Sequence, residues 1–141
     1  MIVKIKKLHE DAVIPSYAKE GDAGMDLTAI DRIINPTCIE YKTGLAIEIP
    51  EGYFGLLRPR SSISKTALHF NTSGVIDSGY RGELIVKFKV NTAYGDVASK
   101  SKIGERIAQL IILPYPQIEF QEVDELSETE RGTGGYGSTG S

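Results

Sequence analysis

The sequence predicts an all-β fold, a jelly-roll-like β-sandwich or barrel with one short helix and a flexible Gly-rich C-terminal tail. Apolar and polar residues alternate with period two over much of the chain, which is typical of strands with one buried and one solvated face. Turn-forming residues separate these segments at intervals that suit a sandwich or jelly roll, not alternating strands and helices. The predicted strands cover residues 2–6, 44–49, 53–58, 83–90, 107–113 and 118–123.

Two segments carry the clearest local signals. In the strand at residues 83–90 one face carries Leu84, Val86, Phe88 and Val90, and the other, mostly solvated face carries Ile85, Lys87 and Lys89. The one good helix candidate covers residues 62–68, two turns at most. It would begin at Ser61 or Ser62, whose hydroxyl can cap the first turn.

The chain has 141 residues, the length of one ordinary domain. We predict that residues 1–123 form this domain and that residues 124–141 form an acidic linker and a Gly-rich tail. Such a tail would normally be a flexible end. It also contains Arg131 and Tyr136, which could bind a phosphate and stack on a base if the tail closes over a site.

Composition argues against several classes of function. The formal net charge of −3 at pH 7 does not suit a general nucleic-acid binder. The single cysteine, Cys38, excludes an internal disulfide, and two scattered histidines, His9 and His69, do not complete a cysteine–histidine metal site. The N-terminus lacks the apolar core of a signal peptide, and no apolar run approaches the ~18 residues of a membrane span. We therefore expect an intracellular, soluble protein that binds no membrane.

The stretch at residues 74–82 brings one carboxylate from an apolar run into a tight turn. Val75 and Ile76 suit a buried strand, and the Asp-Ser-Gly that follows is hairpin-turn chemistry, so Asp77 lies where strand becomes turn. Tyr80 supplies a flat ring that can cover a planar ligand. An acid and a ring suggest a nucleotide site, although an isolated aspartate in this setting is more often an Asx-turn residue.

A second stretch, residues 58–64, places a proline, an arginine and two hydroxyls before the predicted helix. A helix N-terminus offers unpaired N–H groups, and the guanidinium of Arg60 offers a fork of donors that matches phosphate oxygens. Arg60, Ser61 and Ser62 are therefore a candidate phosphate-binding site. The alternative is a capped helix with a surface arginine.

Three further polar residues are weaker candidates. Asp26 could face a hydrated Mg²⁺, which proteins hold through few carboxylates plus phosphates and water, or it could belong to a solvated turn. Asn71 could read the edge of a base, or could be a turn residue. Gln109 interrupts an apolar strand and needs a polar partner, which could be a phosphate or neighbouring backbone.

Five stretches in this order resemble the five motifs of the trimeric dUTP pyrophosphatases (dUTPases). They are residues 23–27, 59–62, 74–82, 104–109 and 131–140. Each motif alone is a weak signal, but the five in register cover nearly the whole chain. The resemblance implies a jelly-roll subunit of a homotrimer whose active sites are shared, with the tail of one subunit closing over the site of a neighbour.

The resemblance also implies Mg²⁺-dependent hydrolysis of dUTP to dUMP and pyrophosphate, a reaction that keeps uracil out of DNA and supplies dUMP for thymidylate synthesis. Asp77 matches the general base that activates the attacking water. A carboxylate fixed beside a triphosphate suits that role.

The other motif residues match binding roles. Those that match phosphate contacts are Arg60, Ser61, Ser62 and Gln109. Those that match the uracil and sugar pocket are Asn71, Val75, Ile76 and Ile85, together with Tyr80, the ring that would exclude a 2′-hydroxyl. Those that match the γ-phosphate clamp and its stacking aromatic are Arg131, Gly137, Ser138, Thr139 and Tyr136. Asp26 matches an acid near the water shell of Mg²⁺, which the substrate phosphates mainly hold.

The chain departs from the family pattern at a few positions. Tyr136 stands where phenylalanine is usual; its ring can still stack on a base, but its added hydroxyl could change how deeply the tail closes. Ser62 stands where other members have glycine, and Gly79 stands where they have aspartate. Two alternatives remain on sequence alone: a related dCTP deaminase, for which Glu83 is the only nearby candidate base, and a nucleotide-sensing protein on the same scaffold. The presence of Asp77 and of a tail with Arg131 favours the hydrolase.

Overall fold

The computed structural model describes residues 1–62, 68–72, 74–90 and 103–137, and over these ranges the predicted all-β class is confirmed. The strands are β1 (Lys4–Lys7), β2 (Ser16–Tyr17), β3 (Met25–Thr28), β4 (Asp31–Ile34), β5 (Cys38–Lys42), β6 (Leu45–Glu48), β7 (Tyr53–Pro59), β8 (Leu68–Phe70), β9 (Val75–Ile76), β10 (Ile85–Val90) and β11 (Arg106–Pro114). Within the described ranges, no helix has the length and apolar character needed to cross a bilayer.

These strands form three antiparallel sheets around one core. β1 pairs with β6, a second sheet has the order β4-β5-β10-β8, and a third has the order β2-β3-β11-β7-β9. The core draws on all three sheets, and its largest fully buried side chains include Leu27, Ile39, Tyr41, Leu45, Leu57, Leu84 and Phe88. This layering of antiparallel sheets over a shared core is the jelly-roll-like arrangement that the patterning predicts.

Five of the six predicted strands are confirmed, each within two residues at either end. The strand at residues 83–90 also has the predicted faces, because Leu84, Val86 and Phe88 are fully buried. Lys87 lies on the solvated face, where its ammonium is 2.6 Å from the carboxylate of Glu40 on β5. The hydrogen bond to Glu40 and the negative charge of that group raise the pKa of Lys87 above its ordinary value.

The predicted strand at residues 118–123 is wrong for this chain, because residues 115–123 adopt no regular structure. Its apolar side chains are exposed: Ile118 is 59%, Phe120 94% and Val123 50% accessible. Alternating residues form a strand only where a partner edge is available, and none of the described strands pairs with this segment.

The predicted helix at residues 62–68 is wrong at its C-terminal end, since Leu68 begins β8 and pairs with Val90 of β10. Ser61 and Ser62 lie in a 3₁₀ turn, and residues 63–67 lie outside the described part of the chain. Strands β2, β4, β5 and β8 are not predicted. β8 has only three residues, too few to show a period, and the long-range ladder with β10 decides its conformation.

Candidate active site

A row of polar side chains crosses three neighbouring strands of the five-stranded sheet. Asp26 of β3 lies opposite Gln109 of β11, and Gln109 lies opposite Arg58 of β7. Residues that face each other across a ladder point to the same side of the sheet. The adjacent residues Leu27 and Ala108 point to the other side and are fully buried. The polar row therefore faces away from the core.

A β-bulge adds a second arginine to this face. The register of β11 against β3 shifts between Arg106 and Ala108, so that Arg106 lies opposite Thr28. Thr28 and Asp26 are two residues apart and share a face of β3. In a regular strand Arg106 and Gln109, three residues apart, would point to opposite faces, and the extra residue of the bulge places them on the same one.

Asp26 holds two guanidinium groups. Arg60 Nε lies 3.3 Å from Asp26 Oδ1, and Arg106 Nη1 lies 3.2 Å from Asp26 Oδ2. The Asp26 side chain is only 16% exposed, and partial burial strengthens the attraction between opposite charges. One carboxylate between two guanidiniums leaves a net positive charge on the outward face. Such a pair suits a ligand with several anionic oxygens, such as a phosphate chain.

Gln109 is seated directly against Gly24 of the first motif. A Cβ at position 24 would lie 2.8 Å from Gln109 Oε1, so a larger residue there would displace the amide. Gln109 adds a neutral donor and acceptor beside the two guanidiniums. We call Asp26, Arg60, Arg106 and Gln109 the Asp26 cluster. Ser61 and Ser62 continue the chain from Arg60 and are exposed.

Asp77 lies in a turn at residues 77–80, which we call the Asp77 turn. The N–H of Tyr80 donates to the carbonyl oxygen of Asp77 at 3.1 Å, which closes the turn. The carboxylate-bearing residue is exposed. The Tyr80 hydroxyl donates to the carbonyl oxygen of Glu83 at 3.0 Å, and a Cβ at Gly82 would lie 2.9 Å from Cε2 of the ring. The ring is therefore fixed by its hydroxyl and by close contact with glycine.

The prediction that residues 75–76 form a buried strand is wrong for Val75. This side chain is 51% exposed, because it lies opposite Leu56 on the outward face of the sheet. Ile76, opposite Gly55, packs against the core. A two-residue strand at a sheet edge buries one face only. The exposure of Val75 places an apolar surface beside Asp77.

The Asp77 turn and the Asp26 cluster are well separated within one chain. β11 and β7 lie between β3 and β9 in the sheet. Gln109 lies opposite Arg58, whereas Ile76 lies opposite Gly55, near the other end of β7. Three strand spacings of about 4.8 Å and four residue rises of about 3.4 Å put Asp77 about 20 Å from the Asp26 cluster.

Asn71 and Ile85 belong to the four-stranded sheet, on the segments that lead into and out of the Asp77 turn. Asn71 is exposed at the end of β8, and its N–H donates to the carbonyl oxygen of Lys87 at 2.9 Å. Ile85 is half-buried at the start of β10. The described contacts of these two residues do not connect them to the Asp26 cluster.

The described part of the tail makes local turns. Arg131 Nε donates to the carbonyl oxygen of Gly134 at 2.8 Å. Tyr136 is fully exposed with a positive φ of 49°, and Gly137 follows with a φ of 84°. In these contacts Arg131 and Tyr136 meet neither the Asp26 cluster nor the Asp77 turn. The other two predicted clamp residues, Ser138 and Thr139, lie outside the described residues.

Metal ligation by side chains alone does not fit this surface. Over the described ranges, no three His, Cys, Asp or Glu side chains are grouped so that they could hold an ion. Each Asp26 oxygen has a guanidinium partner and keeps a lone pair that can accept a hydrogen bond from a metal-bound water. The donor set therefore fits an ion carried by a phosphate ligand.

Sequence reasoning missed Arg106. Its only signal was its place in the fourth motif, three residues before Gln109, and simple alternation would put it on the wrong face. The importance of Gly24 and Gly82 was also missed. Gly24 lies against Gln109, which is distant in the sequence, and Gly82 lies against the Tyr80 ring, which folds back onto it. Such close contacts are visible only in three dimensions.

A sequence model of the dUTPase family matches residues 10–140. The chain belongs to the dUTPase family. Among its relatives, the deoxyuridine 5'-triphosphate nucleotidohydrolase of Nautilia profundicola is 49% identical and covers 99% of both chains. The protein of the same name from Clostridioides difficile is 43% identical over 98% of this chain and 97% of its own length. The resemblance predicted from the five motifs is confirmed.

Solved dUTPase structures share the fold. A variant of the Staphylococcus bacteriophage 80alpha dUTPase with dUpNHpp has a TM-score of 0.85 and 32% identity, with 99% of each chain covered. A variant of the dUTPase from phage phi11 of S. aureus, in a structure concerned with the coordination of a structural Mg(II) ion, has a TM-score of 0.78 and 29% identity over 91% of this chain and 100% of that one.

Proposed function

We propose that this chain hydrolyses dUTP to dUMP and pyrophosphate as a Mg²⁺-dependent homotrimer. The observation that carries the proposal is the Asp26 cluster, in which one carboxylate holds two guanidiniums beside an amide on the outward face of a dUTPase fold. A triphosphate presents several oxygens that these donors can bind together. The names of the relatives and the dUpNHpp complex of the phage 80alpha protein support dUTP as the nucleotide.

In the proposed reaction, the Asp77 carboxylate accepts a proton from a water molecule whose oxygen attacks the α-phosphorus. A bond forms between the water oxygen and that phosphorus while the bond to the bridging oxygen of the β-phosphate breaks, and pyrophosphate leaves with the electron pair. Arg60, Arg106 and Gln109 bind phosphate oxygens and stabilise the charge that moves onto the leaving group. The exposure of Asp77 gives its carboxylate access to water.

Mg²⁺ would arrive with the triphosphate, and Asp26 would accept hydrogen bonds from the water shell of the ion. When bound, the ion offsets phosphate charge and orients the phosphate chain. Arg60 and Arg106, held by Asp26, neutralise the rest of that charge, and Ser61 and Ser62 add hydroxyl donors next to Arg60.

Residues around the Asp77 turn would form the nucleoside pocket. The Tyr80 ring, fixed by Gly82 and by the carbonyl of Glu83, would pack under the deoxyribose and leave no room for a 2′-hydroxyl. The exposed Val75 side chain offers an apolar contact beside it. The other proposed contacts to uracil and sugar come from Asn71, Ile76 and the backbone at Ile85.

The separation of about 20 Å between the Asp77 turn and the Asp26 cluster supports sites shared between subunits. A water held by Asp77 cannot reach an α-phosphorus whose neighbouring phosphates are bound by Arg60 of the same chain. We propose that each site joins the Asp77 turn of one subunit to the Asp26 cluster of another.

Apolar residues that one chain leaves uncovered support the same assembly. The outward face of the five-stranded sheet continues from the polar row into half-buried apolar residues, which are Phe54, Leu56, Ile111 and Leu113. The segment at residues 118–123 keeps its alternating apolar side chains in solvent. Covering both surfaces with neighbouring subunits would remove apolar area from water.

The tail at residues 124–141 would complete the site by closing over a neighbouring subunit. Arg131 would exchange its local bond to Gly134 for the γ-phosphate, a stronger charge-assisted partner. Tyr136 would stack on uracil. Gly137, Ser138 and Thr139 would supply further donors to the γ-phosphate.

Pyrophosphate release from dUTP, dTTP, dCTP and UTP, measured with and without Mg²⁺, tests the proposal. We expect Mg²⁺-dependent release from dUTP and much slower release from the other three nucleotides. Ammonia release from dCTP would instead indicate a deaminase. Nucleotide binding with no turnover of any substrate would indicate a sensing protein, and either result would contradict the proposed function.

A further inference from the structure

The Asp77 turn is held by one arginine. Arg81 Nη1 donates to the carbonyl oxygen of Ser78 at 2.6 Å and to that of Tyr80 at 3.1 Å. The other terminal nitrogen, Nη2, lies 3.4 Å from Oε1 of Glu48. A single guanidinium therefore connects two carbonyl groups of the turn to a carboxylate on β6.

Glu48 connects this arginine to β6, although the Glu48 side chain itself is 47% exposed. It ends β6, whose other residues, 45–47, are buried in the core. Its second oxygen, Oε2, lies 3.5 Å from Lys4 Nζ across the ladder between β1 and β6. The contacts thus run from the core through Glu48 and Arg81 to the backbone of the turn.

The other described hydrogen bonds of the turn, from Tyr80 to Asp77 and to Glu83, are local and do not tie it to a distant strand. Asp77 is exposed, and a cavity of about 580 Å³ opens beside the turn, with Ser78, Gly79 and Arg81 in its wall. A segment with few packed side chains depends on its hydrogen bonds for a defined position. Those of Arg81 reach two of the four carbonyl oxygens of the turn.

We propose that Arg81 is a positioning residue, which ties the Asp77 turn to Glu48 and so fixes where the Asp77 carboxylate and the Tyr80 ring meet the substrate. The proposal rests on dUTP hydrolysis as the proposed function. A planar guanidinium can donate to two carbonyls and a carboxylate at once, whereas a lysine ammonium is a single point that cannot span them. A misplacement of about 1 Å in such a group can cost on the order of 10²-fold in rate.

Four variants test the link that Arg81 makes between the Asp77 turn and Glu48, which we call the tether. Arg81→Gln removes it, Arg81→Lys keeps only its charge, Glu48→Gln weakens its anchor, and Lys4→Gln is the matched control, because Lys4 pairs with Glu48 without touching the turn. For Arg81→Gln we expect kcat to fall about 10- to 100-fold, with KM changing less than about threefold. The preference for dUTP over UTP should fall as well, because Tyr80 loses its position.

The other variants separate positioning from other roles. Glu48→Gln should also lower kcat, but by a smaller factor than Arg81→Gln. The double variant should be no slower than Arg81→Gln alone, since both substitutions act through one contact. Arg81→Lys should recover only part of the loss. Lys4→Gln should have native kcat and KM.

Amide exchange provides a readout that does not need turnover. The N–H of Tyr80 should exchange faster with solvent in Arg81→Gln and at the native rate in Lys4→Gln. A wild-type chain that failed to hydrolyse dUTP would contradict the proposed function, while this exchange measurement would still test the tether. Native kcat and native exchange in Arg81→Gln, or equal losses in Lys4→Gln, would overturn the proposal. If Arg81→Gln does not fold, Glu48→Gln decides the question by the same two measurements.

Discussion

Asp77 has the most specific chemical role of any single residue in the proposed reaction. Asp77→Asn keeps the size and polarity of the side chain but removes the base, so the fold and dUTP binding should persist while turnover falls about 10²- to 10⁴-fold. Steady-state kinetics and binding of a non-hydrolysable dUTP analogue measure the two effects separately. Asp31→Asn, at an exposed position on β4, is the control and should have native turnover. Near-native turnover in Asp77→Asn would rule out this role.

Asp26 should matter for both stability and phosphate binding. Asp26→Asn leaves the guanidiniums of Arg60 and Arg106 next to each other without their shared negative charge. We expect the free energy of unfolding to fall by about 1–3 kcal/mol and kcat/KM for dUTP to fall about 10-fold or more. Denaturant unfolding and kinetics over a range of Mg²⁺ concentrations measure these changes. An unchanged stability would show that the carboxylate does not hold the two arginines.

Gly82 should control the selection of the sugar. In Gly82→Ala the added Cβ would displace the Tyr80 ring, so the ratio of kcat/KM for dUTP to that for UTP should fall by about 10-fold. Gly79→Ala is the matched control in the same turn, because a Cβ there meets nothing within 4 Å. Equal ratios in the two variants would contradict the proposed role of the ring.

Residue types alone made Asp26, Arg60 and Gln109 candidates for contact with a phosphate ligand or its hydrated metal ion. They could not show that these residues partner each other, because β-sheet register and a bulge decide which side chains share a face. Arg106 depends on that bulge, and it could not be assigned from the sequence.

At the level of strands, the local alternation of apolar and polar residues was sufficient to locate most strands that pair within the chain. It located β1, β6, β7, β10 and β11 within two residues at each end. It failed at residues 118–123, where the pattern is present but no described strand offers an edge, and at Leu68, where pairing with β10 decides the conformation. Pairing partners distant in the sequence are not encoded in local alternation.

The proposed role of the tail can be separated from any role in stability. Deleting residues 131–141 should leave the melting temperature nearly unchanged, because the described part of this segment is mostly exposed and its contacts are local. Turnover of dUTP should fall strongly, since ordering of the tail would depend on the triphosphate. Thermal unfolding and kinetics of the truncated chain measure both effects, and Arg131→Ala should reproduce much of the loss. Unchanged turnover after truncation would mean that the tail is only a flexible end.

For the whole molecule, we propose that neither half of the site works within one chain. The Asp77 turn and the Asp26 cluster lie on the same sheet, but about 20 Å apart. A rotationally symmetric assembly can bring the turn of one subunit to the cluster of the next. Light scattering should then give a mass about three times the 15.4 kDa of one chain.

Mixing two inactive variants tests whether each site is shared between subunits. Asp77→Asn and Arg60→Ala chains would be refolded together in equal amounts, with each variant refolded alone as its control. If each site takes Asp77 from one subunit and Arg60 from another, random assembly leaves about a quarter of the sites with both residues intact. We therefore predict that the mixture recovers about a quarter of wild-type dUTP hydrolysis while each variant alone stays inactive. A mixed trimer containing both variants that shows no recovery would contradict the account, because each site would then draw both residues from one chain.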